Sequence, residues 1–203
     1  NMKSGEWRGW VHCRPESDDR RRRINSIYEA GKPFERLIDH PSWIDHVKRY
    51  VGNDDGIYIQ QAWAMLAGHG TKTLLHSGGH KRRIRTQFRY HNGFFRCGEV
   101  NILLAMHDID IPDGSTMVVP GSHKSNLIHP AFEEGIQDLE NVEGAIKVPL
   151  KAGDAILFVD AIAHGSAERK TDGFRRIIVY RYGPGWGRNR YRSEEHTSEL
   201  QSL

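Results

Sequence analysis

From Ile57 onward the chain alternates short apolar runs with polar punctuation. The runs IYIQQAWAML, TKTLLH, IRTQFRY, NILLAMH, TMVVP, AIKVPL, AILFV and RIIVYRY are rich in β-branched and aromatic residues. Gly, Asp, Asn and Pro separate them, and most have no helical repeat between them, which predicts an all-β sandwich or barrel. The first fifty residues carry a different pattern. Ser17-Asp18-Asp19 offers capping groups ahead of RRRRINSIYEA, which Gly31 and Pro33 stop. Phe34–Ile38 reads as a short turn of helix. Ser42 then precedes WIDHVKRYV, where Ile44, Val47 and Val51 recur at helical spacing before Gly52. These segments are expected to be helices buttressing a sheet. The polar stretch His129–Glu143 breaks the strand rhythm and predicts a short helix or lid over the open end of the barrel.

A length of 203 residues fits one domain with a sizeable core. The ending RSEEHTSELQS reads as a translated sequencing adapter, so 192–203 is set aside as non-native. The domain is expected to occupy residues 1–191 and to be truncated. The start NMKSGEWRGW shows no signal-peptide pattern. A net charge of +3 is not the footprint of a nucleic-acid binder, and the run Arg20–Arg23 reads as a solvated helix face. Only Cys13 and Cys97 occur, without a CxxC pair, which argues against a disulfide framework and for a reducing cytoplasm. No apolar run approaches the roughly 20 residues of a membrane span.

Candidate chemistry concentrates in three stretches. HGSAERKTDGFRR sets His164, Ser166 and Arg175 between two apolar runs. A histidine closing one strand and an arginine opening the next suit a small anionic co-substrate beside a metal: imidazole binds the metal, and guanidinium grips a carboxylate through two bonds. LLHSGGH contributes His76 and His80, and DIDIPDGSTMVVPGSHKSN contains the PGSHK box at Pro120–Lys124. In that box Pro120 and Gly121 turn the chain, and Ser122 and His123 can hydrogen-bond across the turn.

Together these stretches resemble the phytanoyl-CoA dioxygenase family of iron(II), 2-oxoglutarate-dependent oxygenases, over about Phe34 to Tyr182. The resemblance implies a double-stranded β-helix (a jelly roll, cupin-like) with N-terminal helices. It implies Fe(II) and 2-oxoglutarate as cofactors, molecular oxygen and a small organic molecule as partners, and hydroxylation with release of succinate and CO2. It places the metal on His76 and His164, and 2-oxoglutarate on Arg175 with Ser166 beside it. Met65 falls where the family lines the co-substrate pocket, and His80 where it places a residue near the metal.

One position departs from the family. Its His-x-Asp carboxylate falls on Gly78, which cannot ligate a metal. Three readings follow: Asp108 swings in as third ligand; the position holds halide or water, as in the related halogenases; or the chain is a ligand-binding jelly roll without catalysis. Period-2 alternation along NILLAMHD sets Asn101, Leu103, Ala105 and His107 on one face and Asp108 on the other. Substrate identity and oligomeric state leave no sign in the sequence.

Overall fold

The computed structural model describes residues 2–52, 56–76, 83–125, 127–133 and 138–186. Its strands are β1 (Trp7–Arg8), β2 (Val11–Arg14), β3 (Arg21–Asn25), β4 (Ile57–Ala67), β5 (Thr73–His76), β6 (Phe88–His91), β7 (Phe94–Cys97), β8 (Val100–Ala105), β9 (Thr116–Val118), β10 (Ile146–Val148), β11 (Ala155–Val159), β12 (His164–Ser166) and β13 (Arg175–Pro184). Three α-helical segments accompany them: α1 (Lys32–Glu35), α2 (Ile44–Val51) and α3 (Pro130–Glu133). A seven-stranded sheet runs β1-β2-β3-β4-β13-β8-β11, a four-stranded sheet runs β10-β9-β12-β5, and β6 and β7 form a separate hairpin. Every pairing is antiparallel. This is the mainly-β architecture that the run pattern predicts, arranged as the jelly roll that the resemblance implies, and each of the eight runs contributes a strand.

Period-2 alternation divides the large sheet into two faces. On the outer face Ala62, Ile102, Ile178, Tyr180 and Tyr182 pack with Trp43, Val47 and Val51 of the α2 region. The tyrosines reach through this layer, Tyr180 Oη donating to the Phe34 carbonyl at 2.6 Å and Tyr182 Oη to that of Ile38 at 2.7 Å. On the inner face Trp63, Leu103, Ala105, Ile177 and Val179 form a second cluster. The buttressing role of the helical segments therefore holds, with Val47 and Val51 as the buried stripe of α2.

Two expectations change. The arginine run is not a helix face: Arg21–Asn25 is β3, paired between β2 and β4. The capping residue ahead of it serves a turn instead, with the Asp18 carboxylate accepting the Arg20 N–H at 2.9 Å. Strand pairing then sends alternate arginines to opposite faces, so Arg22 is exposed while Arg21 and Arg23 are half-buried. The segment after His129 is less polar in its packing than in its composition. It forms the expected short helix, α3, but Ala131, Leu139 and Val142 are buried among Leu75, Met117 and Ala163, so the described part packs as core rather than as a lid. Cys13 and Cys97 are both free and buried, and burial pushes the Cys97 thiol up to about 12. Among the described residues no helix is long and apolar enough to cross a membrane.

Candidate metal and co-substrate site

The small sheet brings the two distant histidines together by register. β12 lies between β9 and β5, and His164 pairs directly with His76. Their ring centroids are 4.1 Å apart. In each ring Nδ1 faces a main-chain carbonyl at 2.8 Å, that of Leu74 for His76 and that of Ile162 for His164. A carbonyl oxygen only accepts, so Nδ1 carries the proton and Nε2 the lone pair. This tautomer makes Nε2 the acceptor of each ring, the form a metal ligand needs, with the main chain orienting each ring. His164 is buried, with Phe158 edge-on at 4.8 Å between centroids. Burial first, and His76 second, holds its pKa well below the ordinary imidazole range, so it stays neutral.

Gly165 makes the close approach of β12 possible. A Cβ there would collide with Leu139 and with the Thr73 carbonyl. The register shifts between His164 and Ser166, and the Ser166 hydroxyl takes the place of a ladder acceptor, receiving the Thr73 N–H at 2.9 Å. The PGSHK box braces the same strand from behind, as Ser122 Oγ accepts the Ala163 N–H at 2.8 Å and donates to the Val119 carbonyl at 2.7 Å. His123 of that box packs edge-on against Phe88 and does not line the cavity.

Both sheets contribute to one cavity of about 220 Å³, lined by His76, His164, Ser166, Arg175 and Met65 among others. Arg175 is 4 % exposed, and its guanidinium donates to the Gly114 carbonyl while Nε finds no partner among the described residues. Gly114 adopts φ +78°, and a Cβ there would press on the Ala167 carbonyl. Burial, then Arg21 and Arg169, lowers the Arg175 pKa to about 10. A buried guanidinium with cationic neighbours and no carboxylate is costly by itself, and an incoming carboxylate relieves it.

The structure thus brings His76, His164, Ser166 and Arg175, all singled out from the sequence motifs, to one cavity. The phytanoyl-CoA dioxygenase (PhyH) family model matches residues 7–177. The chain belongs to the phytanoyl-CoA dioxygenase family. A probable phytanoyl-CoA dioxygenase of Caenorhabditis elegans is 35% identical over 153 residues, covering 70% of this chain and 48% of that protein. The human peroxisomal phytanoyl-CoA dioxygenase is 34% identical over 84 residues, covering 36% of this chain and 25% of that protein. The chain thus spans about half or less of the length of these relatives. Among solved structures, HygX from Streptomyces hygroscopicus with nickel and 2-oxoglutarate bound has TM-score 0.76 at 24% identity, covering 86% of this chain and 74% of that one. The iron-bound form of HygX has TM-score 0.70 at 26% identity, covering 82% and 72%.

One residue assigned to the family's metal site from the sequence is not brought to it. The Asp108 side chain is 56% exposed and held by Lys151 Nζ at 3.0 Å and the Ala152 N–H at 2.9 Å. Both contacts lower its pKa, the main-chain N–H more than the lysine. β8 ends at Ala105, and the following chain carries Asp108 outward, consistent with its parity along NILLAMHD. His107 accepts the Arg176 N–H through Nε2 at 3.0 Å, an anchoring role. Gly78 and His80 lie outside the described residues. Among the described residues no group of three or more His, Cys, Asp or Glu side chains is placed to hold a metal.

Sequence reasoning missed much of the family cavity's large-sheet wall. Arg21, Arg23, Trp63, Asn101 and Arg181 all line it. The available signal was parity: once NILLAMH is a strand, Asn101 shares a face with Leu103, and Arg21 and Arg23 likewise share one face of β3.

Proposed function

We propose that this chain is an iron(II)/2-oxoglutarate-dependent oxygenase that hydroxylates a small organic substrate, with release of succinate and CO2. The observation that carries this reading is the His76–His164 pair, ring centroids 4.1 Å apart with both Nδ1 atoms committed to main-chain carbonyls. Nε2 of each ring would hold the metal, and Arg175 the distal carboxylate of 2-oxoglutarate, with the Ser166 hydroxyl hydrogen directed beside it. Bound there, iron(II) with 2-oxoglutarate supplies the oxidative chemistry: oxygen cleaves the keto acid to succinate and CO2 and delivers one atom to a substrate C–H.

The protein's own contribution is positional. Carbonyls of Leu74 and Ile162 fix the two imidazole orientations, the Gly114 carbonyl aims Arg175, and Leu103, Ile177 and Val179 give the cavity an apolar wall. Asp108 has no part in this assignment, since Lys151 and Ala152 hold it at the surface.

Anaerobic mixing of the protein with iron(II) and 2-oxoglutarate tests the reading. A weak visible charge-transfer band and about one equivalent of retained iron are expected. His164→Ala should lose both, with metal affinity down at least 100-fold while the far-ultraviolet circular dichroism spectrum is retained. A wild-type protein that retains no iron, or a His164→Ala variant that keeps the band, overturns it.

A further inference from the structure

The β6–β7 hairpin belongs to neither larger sheet, and none of its residues lines the cavity described above. Its base is anchored, with Phe88 and Cys97 packed into the outer-face core. Beyond that base every residue from Arg89 to Arg96 is exposed. A tight turn at Asn92-Gly93, both at positive φ, joins the strands. Register then sets Arg89 directly opposite Arg96. Like charges facing each other across a strand pair are unfavourable. No carboxylate relieves these two. Arg89 donates to the neutral Gln87 Oε1 at 2.6 Å, and Arg96 lies over the Phe94 ring, 5.2 Å from its centroid. Among the described residues neither forms an ion pair. The sequence from Ser77 to Gly98 carries Lys81, Arg82, Arg83, Arg85, Arg89 and Arg96 and no aspartate or glutamate.

The same hairpin displays aromatic rings. Tyr90 is 67% exposed and Phe94 61%, and Phe95 is exposed as well. Alternation puts Phe94 on the face of Arg89 and Arg96, and Tyr90 with Phe95 on the opposite face. Clustered exposed rings mark a surface that meets a partner. A rigid partner covers one face of a two-stranded ribbon, whereas a fluid interface that the ribbon enters tip-first covers both. Beside the hairpin a recess of about 540 Å³ is lined by Arg89, His91, Arg96 and Trp186 among others, and no described acidic side chain lines it.

We infer that the β6–β7 hairpin docks this protein on an anionic lipid surface. Tyr90, Phe94 and Phe95 enter the headgroup layer, where rings of this kind are favoured. Arg89 and Arg96 hold lipid phosphates, and the recess beside them takes a headgroup. The association is peripheral, with no segment crossing the bilayer, and it does not depend on the oxygenase reading.

Co-sedimentation of the full chain with vesicles is the test, comparing pure phosphatidylcholine with phosphatidylcholine containing about 30 mol% phosphatidylserine at about 0.1 M salt. The anionic vesicles should retain the protein about 10-fold more strongly, and about 0.5 M salt should remove most of that difference. Arg89→Glu places opposite charges across the strands, so the hairpin keeps its fold, and retention on anionic vesicles should fall about 10-fold. Phe94→Ala leaves the charge unchanged and should weaken retention about 3-fold. Arg36→Glu makes the same change of charge at an exposed residue of the N-terminal segment, and should stay within about twofold of wild type. Equal retention on the two kinds of vesicle overturns the inference. So does retention that survives Arg89→Glu, or that falls equally in Arg36→Glu. Tighter binding to a single-stranded oligothymidylate than to the anionic vesicles also overturns it, and assigns the arginines to a nucleic acid.

Discussion

The two faces of the large sheet are built from the same strands and finished in opposite ways. On the outer face each tyrosine hydroxyl of β13 meets a carbonyl, and Val47 and Val51 are buried in the layer. On the inner face Arg175 Nε and both amide atoms of Asn101 are buried without hydrogen-bond partners among the described residues. Unpaired buried polar groups cost about 1–3 kcal/mol each, so a protein keeps them where a ligand completes them. Among the described residues the outer layer leaves one such atom, Trp43 Nε1. The inner face leaves more of them, all within reach of one cavity's wall.

That contrast is sharpest at Arg175. Arg175→Leu should raise the Kd for 2-oxoglutarate roughly 10- to 150-fold, the equivalent of about 1.5–3 kcal/mol for one hydrogen bond between charged groups. The same variant removes a buried cation that has no carboxylate partner among the described residues, so its thermal midpoint without ligand should hold or rise. Calorimetric titration and thermal unfolding read the two effects separately. A large fall in the midpoint with 2-oxoglutarate affinity intact would make the inner face as structural as the outer one and break the comparison.

How much of this was legible beforehand follows from range of interaction. Eight of the ten described strands from Ile57 onward announce themselves because alternation and turn residues are local properties. His164, Ser166 and Arg175 are legible because the motif fixes their offsets, and the fold then places all three with His76 in one cavity. The arginine run was misread because charge and capping residues favour a helix locally. Pairing with β2 and β4, which no local signal contains, makes it a strand. β12 is only three residues long, shorter than any periodic signal, and its position depends on a glycine that lets Leu139 and Thr73 close in.

The outer face supplies the intermediate case. Val47 is fully buried in the layer between α2 and the large sheet. Val47→Ala should destabilise the fold by about 2 kcal/mol through lost burial and an incompletely collapsed cavity. Its affinity for 2-oxoglutarate should stay within twofold, since the described cluster it belongs to shares no residue with the cavity lining. Denaturant unfolding with a parallel titration checks both halves. A stability loss accompanied by an equal loss of binding would show that the two faces are coupled through the strands rather than independent.

The smallest effect is expected at Asp108, and its smallness is informative. This carboxylate is solvated, and its bonds to Lys151 and Ala152 hold it away from the imidazole pair. Exposed ion pairs contribute little to folding. Asp108→Asn keeps the shape and one acceptor for the Ala152 N–H, so iron stoichiometry and the charge-transfer band should match wild type. A metal ligand replaced by an amide would instead lose much of its iron. If Asp108→Asn empties the site, the loop after β8 must fold inward on metal binding, and the division between a surface carboxylate and a buried imidazole pair would describe only the metal-free protein.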